Sequence, residues 1–142
     1  MPTRFTLRFI KTADAPVLKR IITIYRAQGW WDPADKPALL RRLIEGSHCF
    51  VLAEKDGLAV GMGRAISDGV SDAYIQDVAV LKELRGTGAG SAIVKALVKR
   101  LKADGIGWIG LIAQDNSSPF YFKLGFSELK NAKPMLSKGT HV

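Results

Sequence analysis

Cysteine is nearly absent. Cys49 stands alone among 142 residues, which excludes an intramolecular disulfide and any cysteine-cluster metal site. No apolar run approaches the roughly 18 residues that a membrane-spanning helix needs. The opening Met1-Pro2-Thr3-Arg4-Phe5 has no long apolar stretch, so no signal peptide is read there and a cytoplasmic location is the expectation. Asn116-Ser117-Ser118 matches the N-glycosylation pattern but carries no weight without an export signal. Acidic residues are in short supply: 13 Asp plus Glu face 21 Lys plus Arg, a formal charge of +8. Such an excess favours an anionic partner, either nucleic acid or a phosphate-rich cofactor, yet it also serves solubility alone, so charge does not decide function. Repeats, low-complexity runs and linkers are missing too. The 142 residues are therefore read as one domain, long enough to bury a core.

What is present is a succession of periodic segments. Phe5 to Phe9 alternates apolar with polar, the period of a half-buried strand. Val17, Leu18, Ile21, Ile22 and Tyr25 recur at helical spacing from about Asp14, and Gly29 ends that helix. Trp30-Trp31-Asp32-Pro33 is a connection, and a second helix carrying Leu39, Leu40, Leu43 and Ile44 ends at Gly46. His48 to Glu54 is a strand, Lys55-Asp56-Gly57 a hairpin turn, and Leu58 to Ile66 the returning strand, whose Gly61 and Gly63 mark a bulge or a close backbone approach. After the turn Ser67-Asp68-Gly69, Tyr74 to Val80 is a further strand. From Gly88 the period changes to that of an amphipathic helix. Val94, Leu97, Val98 and Leu101 share one face, with Lys95, Lys99 and Lys102 opposite. Gly105 and Gly107 break it. Trp108 to Ala113 is expected as a buried strand, Ser117 to Leu124 as a short helix, and a last strand from Gly125-Phe126. The order β-α-α-β-β-β-α-β-α-β predicts an α/β fold: a mixed, mostly antiparallel sheet flanked by helices on both sides.

The sharpest feature is Val78-Ala79-Val80 followed, five residues on, by Arg85-Gly86-Thr87-Gly88-Ala89-Gly90-Ser91 and then the amphipathic helix. A strand feeding a glycine-rich turn at a helix N-terminus makes an anion site. Glycines let backbone N–H groups converge, the helix dipole favours negative charge, and Arg85 adds a guanidinium for phosphate oxygens. It is not a dinucleotide fingerprint, because Ser91 stands where the third glycine would fall. It is not a P-loop either, because no Gly-Lys-Ser/Thr tripeptide occurs. A turn that only joins strand to helix is the plainer alternative.

Arg85-Gly86-Thr87-Gly88-Ala89-Gly90 resembles the Q/R-x-x-G-x-G/A segment of the GNAT N-acetyltransferases, Val78-Ala79-Val80 is similar to that family's pantetheine-binding strand, and Asn116 with Phe120-Tyr121-Phe122-Lys123-Leu124-Gly125-Phe126 resembles its N…(F)Y-x-x-x-G-F block. The resemblance implies a GNAT fold and acetyl transfer from acetyl-coenzyme A to an amine by direct attack in a ternary complex, with no metal. By it, Arg85 to Ser91 hold the pyrophosphate and Val78 to Val80 the pantetheine arm. Asn116, and more weakly Ser118 and Lys123, also touch the cofactor. Tyr121 is implied as the general acid for the departing thiolate, whose thiol has a pKa of about 8.5. Each has a plainer alternative: Tyr121 packs its ring, Asn116 caps a helix, Lys123 is a solvated charge. Some relatives carry Glu or His at the place of Gln76, which cannot titrate. Strand alternation is expected to turn Asp77 to the opposite face, so deprotonation by water ordered by Tyr74 and Gln76 is the expectation, with Asp68 and Asp72 as outside candidates. Trp30 and Trp31 wall the acceptor site or cap the core. His48 and His141 read as strand and tail residues.

Two rival readings stand beside this one: a non-catalytic coenzyme A-binding regulatory module, and a basic nucleic-acid-binding domain, disfavoured because no nucleic-acid motif or aromatic-basic interleaving is present. The acceptor, an amine on a small molecule or peptide, is not named by the sequence. Oligomeric state is equally unreadable, with a homodimer left open.

Overall fold

Asp14 opens the first helix by accepting the Val17 N–H at 3.0 Å, and Gly29, at φ +76°, closes it. The computed structural model describes residues 4–139. The chain divides into two compact units, the first ending at Leu111 and the second beginning at Ile112. The first unit runs β1 (Thr6–Ile10), α1 (Ala15–Ala27), α2 (Pro37–Gly46), β2 (Cys49–Lys55), β3 (Leu58–Ser67) and β4 (Asp72–Val80). A single 3-10 turn at Lys82–Leu84, α3 (Ala89–Ala103) and β5 (Trp108–Gly110) follow. In the second unit the helix is α4 (Ser118–Phe122).

The sheet order is β1-β2-β3-β4-β5, antiparallel throughout except for the parallel β4–β5 pair. The mixed, mostly antiparallel architecture expected from the sequence is thus what the chain forms. Asp56 and Gly57 both take positive φ between β2 and β3, as a two-residue hairpin loop requires.

One face of the sheet carries the buried Ile10, Phe50, Leu52, Met62 and Ala79. These pack with Leu18, Ile21, Ile24 and Tyr25 of α1 and with Leu40 and Ile44 of α2 in one apolar cluster. The other face is covered by α3, whose Ile93, Val94, Leu97 and Leu101 are buried while Lys95, Lys99 and Lys102 stay exposed. Gly63 lets α3 approach closely: a Cβ there would lie 2.7 Å from Ile93 Cγ2 and 3.0 Å from Leu97 Cδ1. Gly61 is nearly as tight, 3.1 Å from Ile93 Cδ1.

Two expectations are corrected. The strand from Trp108 ends at Gly110 rather than Ala113, and Trp108 is 39% exposed rather than buried. Its partner β4 shares only Asp72 to Tyr74 with β5, and further along, at Asp77 and Val78, β4 is bulged. The last strand expected from Gly125-Phe126 does not form among the described residues. Gly125 at φ +93° turns the Phe126 N–H back to the Tyr121 carbonyl (3.1 Å), and residues 127–139 are exposed throughout. Leu129, Met135 and Leu136 bury too little to drive strand pairing.

Candidate active site

The glycine turn has the build of an anion cradle. Gly86 (φ +78°) and Gly88 (φ +86°) take left-handed conformations, and nothing lies within 4 Å of a Cβ added at either. Gly88 is the N-cap of α3. It supplies no capping side chain, and the first turn of the helix holds no acidic residue. The N–H groups of Ala89, Gly90 and Ser91 therefore begin a 15-residue helix without a side-chain acceptor of their own. Arg85 is exposed beside them, and Thr87 Oγ1 donates to the Leu84 carbonyl (2.5 Å), which ties the turn down. These residues fit a pyrophosphate.

Upstream, β4 pairs with β5 only through Asp72, Ala73 and Tyr74. Its edge from Ile75 to Val80 is free of β5. Leu81 N–H bonds to the Val60 carbonyl (2.7 Å), so ladder alternation turns the Val80 N–H to that free edge.

The β3–β4 register slips between Met62↔Ala79 and Arg64↔Gln76, so that two residues of β4, Asp77 and Val78, oppose Gly63. Asp77 takes φ +55°, a conformation Asp tolerates better than most residues. The bulge reverses alternation. Tyr74, Gln76, Asp77 and Ala79 share the α1–α2 face, while Val78 and Val80 turn to the α3 face, Val78 Cγ2 lying 3.4 Å from a Cβ at Gly63. This corrects the expectation that Asp77 points away from Gln76. Arg64 gathers both: its Nε donates to Asp77 Oδ2 (2.6 Å) and its Nη2 to Gln76 Oε1 (3.1 Å). Arg64 Nη1 also reaches Ser47 Oγ (3.4 Å), on the only buried polar residue among those described. Tyr25 OH donates to the same Asp77 Oδ2 (2.7 Å), which leaves Oδ1 without a donor among the described residues of this unit. Burial, then the Asp77 charge, pushes the Tyr25 hydroxyl well above its ordinary value, so it acts only as a donor.

Trp30 is 46% exposed and sets its ring edge-on to Tyr25 at 6.1 Å, whereas Trp31 packs against the core. Of the two roles considered for the pair, core packing is the one Trp31 takes, and Trp30 stays largely outside the core. Asp68 is spent on its own turn, accepting from Val70 N, Ser71 N and Ser71 Oγ, and the Ser71 and Val70 bonds hold its carboxyl below the usual range. Asp72 is exposed at the start of β4. His48 bonds Asp104 (2.8 Å), tying β2 to the end of α3, and His141 lies outside the described residues.

In the second unit, Tyr121 is half-buried between Phe120 (4.9 Å) and Phe126 (5.8 Å), both edge-on, and burial raises its pKa. Asn116 is exposed in a left-handed conformation (φ +61°), and the N-cap of α4 is Ser117, so the capping role considered for Asn116 is not what it does. Ser118 opens α4 and Lys123, exposed, caps its end.

Sequence reasoning missed the Tyr25–Asp77–Arg64–Ser47 cluster. Its one available signal was Arg64, a charge at an inward position of the otherwise apolar β3.

A family model described as an acetyltransferase (GNAT) domain matches residues 23–138. Serotonin N-acetyltransferase 2, chloroplastic, of Oryza sativa subsp. japonica is 34% identical over 67% of this chain and 50% of its own length. GCN5-related N-acetyltransferase 1, chloroplastic, of Arabidopsis thaliana is 37% identical over 86% of this chain and 61% of its own. The chain thus spans about half to three-fifths of these relatives. Among solved structures, a GNAT family acetyltransferase of Streptococcus pneumoniae TIGR4 superposes with a TM-score of 0.80 at 22% identity, covering 97% of this chain and 100% of that one, a likeness of fold. The cytoplasmic location expected from the sequence is overturned by these relatives, both named chloroplastic.

Proposed function

This chain belongs to the GNAT acetyltransferase family, and from that premise we propose that residues 1–142 act as one N-acetyltransferase domain, passing the acetyl group of acetyl-coenzyme A to an amine. The observation that carries the reading is the uncapped start of α3 behind Gly86 and Gly88, with Arg85 at its side. Arg85 and the turn N–H groups bind the pyrophosphate, and the free edge at Val78–Val80 takes the pantetheine arm and polarises the thioester carbonyl. Asn116, Ser118 and Lys123 add cofactor contacts. When bound, acetyl-coenzyme A supplies the thioester. The amine nitrogen attacks its carbonyl carbon, the C–S bond breaks, and Tyr121 gives the thiolate its proton.

The amine must first lose a proton. Water ordered by Tyr74 and Gln76 carries it, and Asp77 brings to the same sheet face a carboxylate with one uncommitted oxygen. Trp30 walls the acceptor side through Tyr25. Assaying thiol release from acetyl-coenzyme A across a panel of amines tests the reading. Acceptor-dependent release is expected. Tight binding without release from any amine would leave only the coenzyme A-binding module.

A further inference from the structure

The bulge of β4 carries an ion pair that is largely covered. Arg64 and Asp77 keep 12% and 23% of their side chains exposed and meet at 2.6 Å. So covered a pair adds little stability by itself, because desolvation offsets the attraction, and its best-attested use is to fix a register. The backbone here needs fixing. Asp77 is the first of the two β4 residues that oppose Gly63, and it takes φ +55°. A bulge whose first residue is left-handed ordinarily has glycine there. A side chain at 77 therefore strains the backbone, and the surroundings must hold it.

Three elements do so. Tyr25 OH, from α1, and Arg64 Nε, from β3, both donate to Asp77 Oδ2, at 2.7 and 2.6 Å. Arg64 Nη2 donates to Oε1 of Gln76, the residue before the bulge (3.1 Å). Arg64 Nη1 donates to Ser47 Oγ at the end of α2 (3.4 Å), and that hydroxyl donates in turn to the Leu43 carbonyl (2.7 Å). The bulge is thus tied to α1, to the end of α2 and to β3. Immediately after it come Val78 to Val80, on the edge that β5 leaves free. A slip of one residue exchanges the two sides of a strand. If the bulge moved past Val80, the N–H that now faces the free edge would turn into the ladder.

We propose that Tyr25, Asp77 and Arg64 form a latch that fixes the place of the bulge, and that they are positioning residues for the transfer: they hold the Val78–Val80 edge in the orientation the thioester requires, and none of them takes the proton of the amine. The proposal rests on the acetyl-transfer reading and names the residues that make its cofactor strand rigid. The bonds themselves supply the means of separating a latch from a base. Both donors converge on Oδ2, and Oδ1 has no donor among the described residues of this unit. Asn therefore keeps every bond of the latch, its carbonyl oxygen in the place of Oδ2 and its amide in the place of Oδ1, yet cannot act as a base. Asn also tolerates the left-handed backbone, and Ala offers neither the bonds nor the tolerance.

Steady-state acetyl transfer to an amine accepted in the panel tests this, on variants that thermal melts show to be folded. Asp77→Asn should keep most of the wild-type kcat. Its Tm should still fall, because Arg64 loses its counterion. Asp77→Ala and Tyr25→Phe should lower kcat by about tenfold or more, as the loss of a hydrogen bond to a charged group permits, with the amine KM little changed. Asp77→Asn as inactive as Asp77→Ala would make Asp77 the base and overturn the latch, and so would full turnover in Tyr25→Phe. Should Asp77→Ala not fold, Asp77→Asn and Tyr25→Phe decide alone: activity kept in the first and lost in the second supports the latch, and any other pairing overturns it. If no amine releases thiol in the wild type, the acetyl-transfer reading fails separately, and the amide resonances of Ala79 and Val80 decide. Displacement in Tyr25→Phe with near wild-type positions in Asp77→Asn supports the latch, and resonances unmoved in Tyr25→Phe, or displaced equally in both, overturn it.

Discussion

At the residue scale, the proposed pyrophosphate cradle gives Arg85 and Gly88 different parts. Arg85 acts through charge, and its replacement by Ala should weaken acetyl-coenzyme A binding by about 1.5–3 kcal/mol, the worth of a charged hydrogen bond. Gly88 acts by absence of a side chain: at φ +86° with open space above it, Gly88→Val should all but abolish binding. Calorimetry on variants that melt as folded proteins checks both, and unchanged affinity in the two would remove the cradle. Tyr121 is tested by Phe, which keeps the ring between Phe120 and Phe126 and removes only the hydroxyl. Turnover should fall by about 10²–10⁴ with coenzyme binding unaltered. Burial raises the Tyr121 pKa above the ordinary phenol value, so the acid stays protonated further into the alkaline range. The alkaline decline of the wild-type rate should therefore come later than an exposed phenol would give, and Phe should abolish that limb. Full turnover with an unchanged limb would leave Tyr121 a packing residue.

At the scale of elements, the contact of α3 with β3 depends on what is missing. Gly63→Ala would set a methyl 2.7 Å from the buried Ile93 and 3.0 Å from Leu97. Overpacking of this kind should cost about 1–3 kcal/mol, visible as a lower urea midpoint at unchanged slope. Gly46→Ala, in the last turn of α2 with nothing within 4 Å, is the control and should be near neutral. Equal effects of the two would deny that glycine is needed for the approach of α3. The bulge opposite Gly63 is the second device at this junction. It places Asp77 within reach of Tyr25 on α1 and Arg64 on β3, so a local irregularity of β4 is held by two other elements.

At the scale of the whole molecule, the +8 charge has two candidate beneficiaries, coenzyme A phosphates and nucleic acid. Ligand linkage separates them. Acetyl-coenzyme A at about 100 times its dissociation constant should stabilise the folded chain by roughly 2.7 kcal/mol, read as a rise in Tm. A melt indifferent to acetyl-coenzyme A but raised by random duplex DNA, with steep salt dependence, would reverse the assignment. The charge is also uneven, since the cations leave the Ser67–Val80 stretch empty.

The sequence by itself determined the features that a few neighbouring residues decide. Asp14 and Gly29 bound α1, Asp56-Gly57 makes the hairpin, and Arg85 to Ser91 make a glycine-rich turn that leads into an uncapped helix start, because caps, turns and glycine φ are local matters. Only the tertiary structure decided which way Asp77 faces. Strand alternation predicts the opposite, and the reversal comes from the slipped register between β4 and β3, a pairing between residues distant in sequence. The tertiary structure also decided that Trp108 is a surface and not core. That depends on β5 ending at Gly110 and on Tyr74 lying opposite, neither of which the apolar run from Trp108 records. Local chemistry sets the conformation of a short segment, but the face of a strand is set by its neighbours' register, and the Tyr25–Asp77–Arg64–Ser47 cluster is assembled by that register from four separate stretches of the chain.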